Sequence, residues 1–98
     1  MARFDVYGLR GGGLVLDSQA DLLSDLKTRL VVPLLPEAEA PRPAERLNPV
    51  FYFAGASFVM VTQFAATVAV CELTDVIVSL KREEFAISNA LDMLLTGC

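Results

Sequence analysis

Histidine is absent from this 98-residue chain, and cysteine occurs only at Cys71 and Cys98. Without histidine the commonest general acid–base near neutral pH is missing, and two thiols this far apart make no spaced zinc motif. No metal or other cofactor is therefore expected. Basic residues are also scarce: 8 Lys and Arg stand against 12 Asp and Glu, for a net charge of −4, and only Lys81 and Arg82 are adjacent. A nucleic-acid footprint needs a basic cluster or stripe, so direct binding to DNA or RNA is not expected. The opening "MARFDVYGL" has no apolar core of the kind an export signal carries. The chain is read as cytoplasmic, with both thiols reduced and neither catalytic.

Apolar residues are present in excess. They make up 54% of the chain, above the ~45–50% of an ordinary soluble domain. A chain of this length forms one domain, 1–98, with a thin core. The surplus points to an apolar surface buried against a partner, and a soluble homodimer is expected.

The run from Leu47 to Cys71, "LNPVFYFAGASFVMVTQFAATVAVC", has no charged residue and is long enough to raise a transmembrane helix. Against that, Gly55-Ala56-Ser57 reads as a turn, Thr62 and Gln63 are polar, and Val, Phe, Tyr and Thr favour strands. No Lys/Arg cluster flanks the run to anchor an insertion. It reads as an apolar hairpin, Val50–Ala54 and Phe58–Phe64, and no membrane association is expected. Upstream, 3–9 and 13–18 form a second hairpin around Gly11-Gly12-Gly13. The glycines lack the Lys and Ser/Thr of a phosphate loop. "TRLVVPLL" at 28–35 is a third apolar strand, which Pro33 confines to an edge or a bulge. Residues 36–49 hold four of the five prolines and read as a solvated, mobile loop within the domain.

After a short strand at 68–73 the period changes. Ile77, Leu80, Ile87, Leu91, Leu94 and Cys98 follow a three–four spacing broken only by Glu84, so the last twenty or so residues predict an amphipathic helix. Thr74 or Ser79 is its expected N-cap and Gly97 its stop. The class is α+β: antiparallel strands, then one C-terminal helix. The helix runs into Gly97 and one further residue with no polar tail, an ending that suggests the terminus itself is used.

The stretches "RLNPVFYFAGASFVMVTQFAATVAV" and "LKREEFAISNALDMLLTGC", with "VLDSQADLLSD" and "RLVVPL" upstream, resemble the CcdB family of plasmid-addiction toxins along nearly the whole chain. The resemblance implies an SH3-like barrel with a C-terminal helix, a homodimer, and the toxin role in a toxin–antitoxin pair. Such toxins bind the A subunit of DNA gyrase and trap the cleaved gyrase–DNA complex, with no reaction of their own. A cognate antitoxin with a disordered tail neutralises them. The best-known members end in an aromatic residue, Gly and an aliphatic residue, and these form the gyrase contact. The matching positions are Thr96, Gly97 and Cys98, of which only the glycine is kept. The antitoxin surface carries over to Leu22, Leu23, Asp92 and Leu95, although "ADLLSDL" also reads as ordinary helical core.

Two other readings stay open. One is a toxin-like interaction module with a target other than gyrase. The other is an RNA-cleaving toxin on the same barrel, which needs a base, an acid and a cation for the phosphate. Asp17, Arg29, Glu45 and Arg46 are of the right types, but nothing in the sequence gathers them.

Overall fold

The computed structural model describes residues 2–97. Seven strands and one helix are present: β1 Asp5–Leu9, β2 Leu14–Asp17, β3 Thr28–Pro36, β4 Val50–Phe53, β5 Ala56–Met60, β6 Ala66–Ala69, β7 Leu73–Ser79 and α1 Glu84–Thr96. All pairings are antiparallel. The sheet order is β4-β5-β3-β2-β1-β7, with β6 paired to β3, and the sheet curls into a half-barrel. This is the α+β architecture expected from the sequence. No helix among the described residues is long and apolar enough to cross a membrane.

Alternation along the central strands divides the core between the two faces of the sheet. One face carries Val6, Leu16, Val32 and Leu34, and Ile87 and Ala90 of α1 cover it together with Phe51, Phe53 and Met60. The other carries Tyr7, Val15, Val31 and Leu73. Phe53 and Phe58 stack across the β4–β5 hairpin with ring centroids 4.5 Å apart. Val50 and Tyr52, on the opposite face of β4, stay exposed. The hairpin turns at Ala54 and Gly55, both at positive φ (52° and 78°), one residue earlier than the sequence reading, and Ser57 lies within β5.

Two expectations are corrected. Pro33 does not mark an edge: β3 is the hub of the sheet, paired to β2 on one side and to β5 and β6 on the other. The Pro33 carbonyl accepts a hydrogen bond from Val61 N–H, so its nitrogen also faces the β5/β6 side. There the pairing passes from Val31–Ala66 to Leu34–Met60, so the missing donor falls in the break between two partners. Residues 73–79 are strand rather than the start of the helix. Val76-Ile77-Val78 is a β-branched run that favours extended backbone over the three–four spacing. Glu84, the position that broke the spacing, is the first residue of α1, where a carboxylate suits the helix dipole. Thr74 bonds the Gly8 carbonyl instead of capping a helix, and Ser79 Oγ accepts from Lys81 N–H at the short 3-10 turn that precedes α1.

The Pro-rich loop is exposed along most of its length but fixed at its end. Buried Asn48 accepts a hydrogen bond from Ala44 N–H and donates to the Met60 carbonyl and to Gln63 Oε1, while Thr62 Oγ1 donates to the Leu47 carbonyl. These bonds tie the loop's last turn to the end of β5.

Candidate protein-binding site at the helix end

α1 buries Ile87 and Ala90 against the sheet, while its outer face carries Asn89, Asp92 and Thr96 together with Phe85, which is 82% exposed, so its inner stripe alone attaches it to the sheet. Its last turn extends beyond that anchor. Leu94 faces the same way as Ile87 and Ala90 yet is 39% exposed, and Leu95 is 77% exposed. Gly97 ends the helix in the left-handed region, φ 75°, with its N–H bonded to the Met93 carbonyl at 3.0 Å. A Cβ built at Gly97 would meet nothing within 4 Å, so the glycine is needed for its backbone angle and not for packing. The Thr96 hydroxyl donates back to the Asp92 carbonyl at 2.7 Å, which holds the side chain against the helix. Cys98 lies outside the described residues.

Leu22 and Leu23 sit on a 3-10 turn, Asp21–Leu23, between β2 and β3. They are 92% and 47% exposed and belong to neither core cluster, which overturns the reading of this segment as ordinary core. A polar cleft of about 250 Å³ is lined by Arg3, Asp21, Lys81 and Glu84 among others, so this turn neighbours the first turn of α1. Asp92 and Leu95 lie on its last turns, roughly 12–16 Å further along the axis. The two halves of the expected antitoxin surface are therefore at opposite ends of one helix.

The four residues named for RNA cleavage are not brought together. Asp17 and Arg29 form an ion pair of 2.6 Å on the second face of the sheet, with both side chains fully buried. Arg29 Nε and Nη2 both donate to Asp17 Oδ2, and Nη1 is buried without a hydrogen-bond partner. Glu45 and Arg46 are exposed on the Pro-rich loop. An arginine held this way is closed to a phosphate. The alternation of β2 and β3 would have placed Asp17 and Arg29 on one face had the register been known. Beside the pair, burial pushes the Tyr7 hydroxyl above its usual 10.0; the carboxylates of Asp5 and Asp17 add to this, and Arg29 and the Ala2 backbone oppose it.

A second feature was not foreseen. An apolar groove of about 540 Å³ runs between the 24–27 segment and β6, lined by Ser24, Leu26, Lys27, Ala69, Val70 and Cys71. Cys71 is exposed at its rim as a free thiol and is not core.

Residues 3–97 match the family model described as CcdB protein. No curated protein has a matching sequence. Among solved structures, an endoribonuclease in complex with its cognate antitoxin, from Mycobacterial species, superposes with a TM-score of 0.80. It shares 17% identity, over 97% of this chain and 94% of that one. At that identity the likeness is one of fold.

Proposed function

Because the chain belongs to the CcdB family, we propose that it is the toxin of a toxin–antitoxin pair, that it binds the A subunit of DNA gyrase through its last residues, and that a cognate antitoxin neutralises it. The observation that carries this reading is the helix end: Leu95 exposed and Gly97 turned out of the helix beyond the last anchoring residue. Such an end presents side chains and backbone to a partner at little cost to the fold. Acting as a dimer, the protein would trap the cleaved gyrase–DNA complex without chemistry of its own. Exposed Leu22 and Leu23 at one end of α1 and Asp92 and Leu95 at the other fit an antitoxin segment that runs along the helix. An antitoxin so placed covers Leu95 and competes with the target. That the neighbouring fold was solved with its cognate antitoxin agrees with a partner of this class.

That neighbour is an endoribonuclease on the same fold, so RNA cleavage is the second reading. The buried Asp17–Arg29 pair and the absence of histidine favour binding over RNA cleavage in this chain. The deciding experiment sets purified protein against gyrase supercoiling and, separately, against total RNA. Inhibition of supercoiling with intact RNA is expected. Cleaved RNA would replace this reading with the enzymatic one, and neither effect would leave a toxin-like module with another protein target.

A further inference from the structure

Beyond the pair Thr28–Ala69 the strands β3 and β6 separate. Residues 24–27 lead into β3 on one side, while β6 gives way on the other to a 3-10 turn, Val70–Glu72, that leads to β7. One hydrogen bond, from Val70 N–H to the Lys27 carbonyl at 2.9 Å, ties the two walls together, and the gap between them is the apolar groove of about 540 Å³. That volume is in the range of sites for small organic ligands, which lie in mainly apolar clefts with a few placed polar groups. Leu26, 50% exposed, forms one wall, and Ala69 and Val70 form the other.

The polar groups of the lining define what fits. Its backbone groups are partly used: Val70 N–H and the Lys27 carbonyl bond each other, and the Cys71 carbonyl accepts from Arg10 Nε at 2.5 Å. A peptide backbone therefore finds few partners there. Lys27 is the one charged residue in the lining, and Asp25 and Glu72, the nearest acids in sequence, are not part of it. Among the described residues neither the Lys27 ammonium nor the Ser24 hydroxyl has a bonding partner. The groove thus offers apolar walls, one unpaired cation and one free hydroxyl, on a chain whose net charge is −4. These complement an aliphatic chain that carries a single negative charge. A phosphate calls for further cations or a row of amide donors, and a neutral chain leaves Lys27 without a role.

We propose that the groove binds an aliphatic carboxylate of medium chain length, its tail between Leu26 and the Ala69–Val70 wall and its carboxylate at Lys27 and Ser24. Cys71, the free thiol exposed at the rim, is covered by the bound tail and takes no part in holding it. None of these residues belongs to the helix-end surface, so the proposal stands apart from the function proposed above.

Isothermal titration calorimetry of the full chain with hexanoate, octanoate and decanoate, each below its micelle concentration, tests it. Affinity should rise by up to about fifteenfold for each two methylenes taken out of water. Lys27→Gln, a change on an exposed side chain, should weaken octanoate about fivefold and leave 1-octanol unchanged. Ala69→Trp, which fills the groove, should abolish binding of all these probes. Bound decanoate should slow alkylation of Cys71, read by mass spectrometry on the peptide that contains it. Absence of decanoate binding at millimolar concentration overturns the site. Octanoate and octanol affected alike by Lys27→Gln, or neither affected, overturns the carboxylate as ligand. Binding that leaves Cys71 alkylation unchanged lies outside the groove and overturns the location. Should Ala69→Trp fail to fold, the Lys27→Gln and Cys71 measurements decide alone.

Discussion

Two residues of opposite charge, Asp17 and Arg29, are fully buried against each other, and their environment decides what each can do. A buried pair is weak evidence of net stabilisation, but removing one partner strands the other charge, at a cost of ~3–5 kcal/mol. Arg29→Ala should therefore lower unfolding stability by about that amount, read by urea denaturation. Replacing both residues with apolar side chains of similar volume should cost far less. Were Arg29 instead a phosphate ligand, the single change would spare stability and alter only activity. Tyr7, beside the pair, supplies a pH signature. Its hydroxyl titrates higher in the folded chain than in the unfolded one, whose value is near 10.0. Its contribution is thus complete below pH 10 and is lost as pH rises through the folded value. Tyr7→Phe should flatten the fall in stability above pH 10, measured by thermal unfolding from pH 9 to 11. An unchanged slope would place the alkaline transition elsewhere.

Elements show where local chemistry and tertiary context part. The β4–β5 turn places a residue with a Cβ, Ala54, at φ 52°. Ala54→Gly should relieve about 1 kcal/mol of left-handed strain, partly offset by backbone entropy, and raise the unfolding midpoint by a few degrees. A fall in the midpoint would mean that Ala54 makes contacts that outweigh its strain. The hairpins, the helix with its glycine stop and the α+β class were legible in the sequence, because each depends on spacing within one segment. Pro33 was misplaced for the opposite reason. Whether a proline can stand in a central strand depends on which neighbour its nitrogen faces, and that follows from the positions of β5 and β6 far along the chain. The start of the helix was missed because Ile77 and Leu80 satisfy both the helical spacing and a strand ending in a turn, and only pairing with β1 distinguishes them. Of the candidate site, Gly97 was legible as the stop of the three–four spacing, and Leu95 only through the family resemblance. The exposure of Leu22 and Leu23 was not, since a Leu-Leu pair reads the same in core and on surface.

At the scale of the whole molecule, the half-barrel holds its core without the last turn of α1, and under the proposed function this separates folding from recognition. The buried residues of the helix end at Ala90, with Leu91 packed against the core cluster. Deleting residues 96–98 removes the Thr96–Asp92 bond and the Gly97 cap, both on an exposed turn, worth together about 1–2 kcal/mol. The truncated chain should therefore keep its fold, lose at most a few degrees in unfolding midpoint and, under the proposed function, no longer inhibit gyrase or the growth of a susceptible host. Thr96→Trp tests the same surface in the other direction. Aromatic side chains bury ~150–250 Å² and often dominate interface energy, so this change should tighten gyrase binding if the geometry of the contact is that of the family. Because the proposed antitoxin segment also crosses Leu95, the truncation should weaken antitoxin binding only in part, with Leu22→Asp removing more of it. If the truncated chain kills at wild-type potency, recognition lies elsewhere, and the groove between Leu26 and Val70 becomes the surface to probe. If it unfolds, the helix end belongs to the core after all, and the exposure of Leu95 is incidental.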